Sequence, residues 1–280
     1  RRFLVVERSF AAGYGNTTLI GLIETGEIDQ TQYDAYMTQA ANLQTGSVRY
    51  TAADPVPDPS DDVRKSIGTR SVLSADGARA SAEIAAGSSL TVNGANGGVL
   101  RASNGAKVSN AGTLVANDGI AVTLRSGSTG GNDCILTPKD SAAGVNADAS
   151  SFTNANIINK GIGNNSNAIT ATNSTVVNSG IINLGTTASS ANTSAYGVDI
   201  TGGSFTNTAD AVIYIGRGEQ TDPNAPAADV ALNLGGNLAA INVHSGATVN
   251  NEGAVVIGTL TQGASGIRVD GASNVQVDNS

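Results

Sequence analysis

A short phrase built around asparagine returns along the chain, and its spacing limits the possible fold more than any other feature. SFTNANIINKG (Ser151 to Gly161) and STVVNSGIINLG (Ser174 to Gly185) are near copies. KVSNAGTLVA (Lys107 to Ala116), SFTNTADAVI (Ser204 to Ile213), TVNNEGAVVI (Thr248 to Ile257) and a shortened VQVDNS (Val275 to Ser280) repeat the pattern. The equivalent asparagines are Asn110, Asn154, Asn178, Asn207, Asn251 and Asn279, separated by 44, 24, 29, 44 and 28 residues. Each interval of 44 is twice 22, so each is expected to hold one degenerate copy. A period of this size signals a solenoid, in which no repeat can bury its apolar side alone and stacking supplies one continuous core.

A second phrase precedes the first at a fixed distance. GVNA (Gly144 to Ala147), NAITA (Asn167 to Ala171) and GVDI (Gly197 to Ile200) place Val145, Ile169 and Val198 nine residues before Asn154, Asn178 and Asn207. Two or three short strands in a unit of this length describe one coil of a right-handed parallel β-helix. The leucine and asparagine signature of leucine-rich repeats is missing. Val108, Leu114, Phe152, Ile158, Val176, Ile182, Phe205 and Val249 read as interior positions, with β-branched residues prominent because they pack well on strands. Asparagine at the recurring place suits a turn, since it tolerates the left-handed region and its amide can bond to backbone. Copies on successive coils can form an inward ladder. Gly112, Gly161, Gly180 and Gly253 read as the residues that permit a tight corner.

The composition fits a narrow column better than a bulky core. Hydrophobic residues make up 40% of the 280, yet aromatics only 4%, with no Trp and 35 Gly. Short β phrases start near Arg79 to Ile84, Leu90 to Val92 and Val99 to Leu100. The chain before residue 70 is chemically different. Phe3 to Val6 and Thr18 to Ile23 are short strand candidates, and Glu27 to Leu43 reads as a helix with Glu27 and Asp29 in its first turn. Asp54 to Asp62 (DPVPDPSDD) resists regular structure and reads as a linker. The expected organisation is therefore an N-terminal subdomain or inserted segment over 1–70 and β-helix repeats over 71–280. The first residues lack a signal peptide's apolar run, and the sequence stops inside a repeat, so both ends read as cuts.

Charge and motif content narrow the function. A net charge of -8 opposes a nucleic-acid groove and attraction to an anionic membrane. One cysteine, Cys134, excludes a disulfide framework within the chain and reads as a loop thiol rather than a nucleophile. His244 is the only histidine, so any His-based metal cluster or Ser-His-Asp arrangement must be built around it; its NVHSGATV setting reads as surface. There is no GxSxG phrase. Parallel β-helices can use paired acids for polysaccharide cleavage, but the spacing of Asp199, Asp229, Asp270 and Asp278 pairs none of them. No tandem calcium-binding nonapeptide occurs. The expectation is a non-enzymatic chain without cofactor or metal.

Three intervals read as decorations on the rod, at 126–140, 186–195 and 216–229. Polar excursions from a rigid support are favoured binding places. Their candidate contact residues are Asp133, Lys139, Thr193, Arg217, Glu219 and Asp222, with 27–62 as a further candidate region.

The asparagine phrases resemble the V-x-N-x-G-x-I phrases in passenger domains of type V autotransporters of Gram-negative bacteria, and GVNA, NAITA and GVDI are similar to that family's G-I-x-V steps. The resemblance covers 71–280. It implies a β-helical passenger exported through the outer membrane and displayed at the cell surface or released. Membrane attachment is then only through a barrel domain that this chain does not contain. It also implies an adhesin or virulence role, with a host surface, matrix or serum protein or a glycan as partner. Self-association for cell aggregation is the alternative, followed by a polysaccharide-degrading enzyme. Residues 1–70 are too short for the protease domains of enzymatic members.

Overall fold

The computed structural model describes residues 47–50, 72–93, 97–163, 167–187, 193–225, 227–271 and 274–280. Among these the fold is all-β, a parallel solenoid of about 7 turns, with no helix. The helix expected at Glu27 to Leu43, the strand candidates at Phe3 to Val6 and Thr18 to Ile23 and the Pro/Asp linker lie outside the described residues.

Each coil runs across three faces. Face 1 contains β2 (Leu73–Asp76), β5 (Leu100–Ser103), the later parts of β7 (Thr113–Arg125) and β9 (Ile135–Asp148), the earlier parts of β12 (Ile169–Asn178) and β14 (Ala195–Asn207), then β16 (Leu232–Val243) and β19 (Thr261–Val269). Face 2 contains β1 (Ser47–Tyr50), β3 (Ser81–Ile84), β6 (Lys107–Asn110), β8 (Thr129–Asn132), β10 (Ser151–Asn154), the later parts of β12 and β14, β17 (Ala247–Asn251) and β20 (Gln276–Asn279). Face 3 contains β4 (Ser89–Val92), the earlier parts of β7 and β9, β11 (Ile157–Lys160), β13 (Ile181–Leu184), β15 (Val212–Ile215) and β18 (Ala254–Ile257). Every strand pairs parallel with its equivalents one coil away, so the backbone groups of one coil satisfy those of the next. β1 extends face 2 with residues that lie before residue 70, in the segment expected to be distinct from the coils.

Strict alternation sets the interior. β10 reads exposed, buried, exposed, buried, with Phe152 and Asn154 inward. The expected interior residues Val108, Leu114, Phe152, Ile158, Val176, Ile182, Phe205 and Val249 are all buried in one cluster. Val145, Ile169 and Val198 share a register position on face 1, as their equal distance from the asparagines requires.

The two intervals of 44 turn out differently. The first holds a full copy: Asn132 pairs in register with both Asn110 and Asn154. Residues 126–140 are therefore not a loop, because β8 and the start of β9 build them into the coil. Gly130 and Gly131 had erased the apolar signal of that copy; the Leu124 and Phe152 side chains fill the space beside Gly130. The second interval holds no copy, since Asn207 pairs directly with Asn251. Its extra length goes into one excursion after β15, residues 216–231, and a longer face 1 strand.

Candidate functional site

The inward asparagines form one hydrogen-bonded chain. Each Nδ2 donates to the Oδ1 one coil on: Asn110 to Asn132 at 2.8 Å, Asn132 to Asn154 at 2.8 Å, Asn154 to Asn178 at 2.8 Å. Asn178 then donates to Asn207 at 2.7 Å, Asn207 to Asn251 at 2.8 Å and Asn251 to Asn279 at 2.7 Å. The second amide hydrogen reaches a nearby carbonyl, as from Asn154 to Asn156 at 3.0 Å and to Ile181 at 3.0 Å. Asn110 through Asn251 are buried, while Asn279 is exposed on the last coil. At the other end Ile84 occupies the equivalent place, so the buried Oδ1 of Asn110 has no partner.

These residues are structural, and their geometry differs from the turn reading. None has positive φ, so the ladder asparagines close strands instead of occupying left-handed corners. The glycine two residues later matters for close approach: a Cβ at Gly180 would overlap the Asn156 carbonyl oxygen. Gly161 is not equivalent to Gly112, Gly180 and Gly253; Asn156 holds that corner in its coil, and Gly161 follows β11.

The outward side of face 2 carries two parallel ranks of side chains. One rank runs Lys107, Thr129, Ser151, Thr175, Ser204, Thr248 and Gln276, and the rank two residues on runs Ser109, Gly131, Thr153, Val177, Thr206, Asn250 and Asp278. From Thr129 to Asn250 neither rank carries a charge, and the first is hydroxyl throughout, repeating about every 4.8 Å.

The outward side of face 3 is covered at β11 and β13. Residues 216–225 and 227–229 belong to a strap that folds back across β11 and β13, closed at its base by the Arg217–Asp229 ion pair at 3.3 Å and the Gly218 N–H donating to Ala228 O at 2.9 Å. Arg217 also lies 4.5 Å from the Tyr214 ring centroid. The backbone N–H and hydroxyl of Thr259, then Arg217, hold the Asp229 carboxyl below the usual range. The Lys139 ammonium pairs with Glu219, tying the strap to β9.

Face 3 also buries a charge. Lys160 stands inward in register with Leu184, a place filled by Ile215 one coil further on. It is fully buried, and its Nζ donates to the carbonyls of Lys139, at 3.2 Å, and Gly161. Burial pushes its pKa down to about 8, against an opposing pull from Asp140.

On face 1 the structure brings together residues whose sequence spacing pairs nothing. His244 Nε2 lies 2.9 Å from Asp199 Oδ1, and Asn242 Nδ2 lies 2.9 Å from both atoms. Asn167 donates to the other Asp199 oxygen at 3.1 Å. Arg268, one coil on, pairs with Asp270 at 3.3 Å and reaches the Tyr196 hydroxyl at 3.4 Å. The register explains the meeting: Asp199, Asn242 and Arg268 occupy one outward row, 43 residues separating the first two. The remaining carboxylates go elsewhere, Asp229 to Arg217 and Asp278 to the Gln276 amide at 3.5 Å. Among the described residues no group of three or more His, Cys, Asp or Glu is placed to hold a metal. No helix among them is long and apolar enough to cross a membrane, which says nothing of a β-barrel.

The candidate contact residues are thus dispersed. Asp133 is exposed in the turn between faces 2 and 3, its N–H donating to Asn110 O at 2.8 Å, beside half-buried Cys134. Lys139, Arg217 and Glu219 are engaged in ion pairs within the chain. Asp222 is exposed at the strap's far end and caps its own turn through the Asn224 N–H at 2.9 Å. Thr193 is half-buried just before β14; residues 188–192 of that interval and all of 27–46 and 51–62 lie outside the described residues. In comparisons with protein-family models, curated proteins and solved structures, nothing matches this chain.

Proposed function

We propose that this chain is a non-enzymatic section of a bacterial surface rod, a right-handed β-helical autotransporter passenger that acts as an adhesin and engages a host protein or glycan through its sides. The observation that carries the reading is the uncharged, hydroxyl-lined platform of face 2, held rigid from behind by the asparagine chain. A side-on reading is favoured over loop presentation because 126–140 belongs to the coils and 216–229 lies against the rod. Hydroxyls and amides in fixed ranks offer hydrogen bonds without the entropy cost of ordering long side chains.

Self-association is the second reading, and a specific charge pattern favours it. The neutral ranks are flanked by Lys107 at one end and Asp278 at the other, three coils either side of β12. Two rods laid face to face with antiparallel axes about β12 bring Lys107 of each over the end that carries Asp278 of the other. Five coils at about 4.8 Å by four residues at about 3.3 Å give only ~300 Å² per rod, well under the ~800 Å² of a stable interface. Such pairing is weak singly and effective only between surfaces carrying many rods.

The test immobilises the protein and a Thr153→Lys/Thr206→Lys variant, passes serum and extracellular-matrix proteins over both, and measures aggregation of coated beads. A retained partner lost from the variant supports host binding through face 2. Aggregation lost from the variant, without a retained partner, supports self-association. Equal behaviour of the two proteins in both assays defeats the face 2 reading.

A further inference from the structure

Asparagine has a second use on the outward side of face 3. Asn159 and Asn183 stand in register between inward neighbours, yet are 1% and 0% exposed because the strap covers them. Asn159 contacts both backbone groups of one strap residue: its Nδ2 donates to Gln220 O at 2.8 Å, and its Oδ1 accepts from Gln220 N–H at 3.0 Å. Asn183 Nδ2 donates to Gly218 O at 2.7 Å and to Asn159 Oδ1 at 3.2 Å. These bonds recognise main chain alone, with the two reading residues held by β11 and β13 at the spacing of adjacent coils. Ile157 and Ile181, also outward, are buried beside them and supply apolar area.

The strap fits this site imperfectly. Gln220 is 1% exposed, and neither its Oε1 nor its Nε2 has a partner; the buried Asn183 Oδ1 has none either. A buried amide without hydrogen bonds opposes docking. The strap's remaining hold is the exposed Lys139–Glu219 pair and the contacts at its base.

We infer that Asn159 and Asn183 form a peptide-backbone-binding site, occupied in this chain by its own strap, and that the partner it takes is an extended polypeptide segment. The strap is the template for that partner: one residue offers N–H and C=O together, a second offers C=O two positions earlier, and an apolar side chain is preferred where Gln220 lies. This deepens the adhesin reading by naming a polypeptide as the ligand class, and it rests on that reading only for its biological use.

The test uses the full chain with 219–227 replaced by Gly-Gly and a fluorescent peptide of residues 216–229, with folding checked by circular dichroism. The strap-shortened protein binds the peptide saturably, binds the same peptide carrying Gln220→Leu roughly tenfold tighter, and loses roughly tenfold or more in affinity on Asn159→Ala. The intact protein binds at least tenfold more weakly than the shortened one. A folded, shortened protein that binds neither peptide, or binds equally with Ala at 159, overturns the inference. Should the shortened protein not fold, hydrogen exchange on the intact chain decides: Gln220→Leu slows exchange of the residue 220 amide roughly tenfold, and an unchanged rate overturns the inference. Failure of the serum and matrix assay leaves this result standing, so the two readings fail separately.

Discussion

Replacing Lys160 by Met stabilises the protein at neutral pH and removes the pH dependence that this residue contributes. The Lys160 ammonium occupies an inward place in register with Leu184, with the Lys139 and Gly161 carbonyls as hydrogen-bond acceptors and Asp140 exerting an opposing electrostatic pull. Its pKa falls from 10.5 to about 8, and each pH unit between those values corresponds to about 1.4 kcal/mol. The charged form therefore opposes folding by about 3 kcal/mol. Because the folded value is the lower one, the unfolded chain binds the proton more tightly. Below about pH 8 both states are protonated and the whole cost is present. Between about 8 and 10.5 the folded state releases its proton first and stability rises with pH.

Methionine fills similar volume without charge but leaves the Lys139 and Gly161 carbonyls unpartnered, which returns about 1 kcal/mol each. The net gain at pH 7 is about 1 kcal/mol, consistent with the gains seen when buried charges give way to apolar side chains. Urea titrations of both proteins followed by far-ultraviolet circular dichroism, at pH 7, 8, 9 and 10.5, measure the difference free of other titrating groups. The variant's advantage should fall by about 3 kcal/mol across the range and change sign. A difference that stays flat with pH would refute the assignment of a buried, proton-losing lysine. A large loss of stability at pH 7 would refute the balance of desolvation over hydrogen bonding.

Other perturbations probe the frame. Asn178→Ala removes donors to Asn207 and Gly180 and the acceptor for Asn154; it should cost about 1–3 kcal/mol in chemical denaturation. Asn279→Ala, at the exposed end of the same chain of amides, should stay within about 0.5 kcal/mol. Gly180→Ala drives a Cβ onto the Asn156 carbonyl oxygen and should cost about 1–3 kcal/mol, whereas Gly131→Thr, with open space and ordinary φ, should be neutral or stabilising by up to about 1 kcal/mol. Opening the strap with Glu219→Lys should raise proteolytic cleavage within 216–229 several-fold and leave the coil's circular dichroism unchanged; unaltered cleavage would show that the Lys139 pair contributes nothing to docking.

The coil itself was legible in the sequence because period and alternation are properties of the chain alone. An apolar residue two places before each asparagine, and Val145, Ile169 and Val198 nine before the next, determine which side chains point inward. Where side chains vanish the signal vanishes with them: Gly130 and Gly131 hid the copy containing Asn132, although its exact half-interval position was countable. The opposite error came from 207–251, where length alone imitated a missing copy that the register shows to be one coil with an excursion.

Tertiary structure decided what the outward residues do, because an outward position in a solenoid meets its neighbours one coil away, at sequence distances set by intervening loops. Asp199 and His244 lie 45 residues apart and touch. Asn159 and Gln220 are separated by 61 residues and share two backbone-directed bonds, and Lys139 and Glu219 by 80. No local pattern encodes those distances. Sequence by itself determined the repeat, its inward column and the parallel β class; only the stacking of coils of unequal length determined which polar residues became partners, because register, not spacing, brings them together.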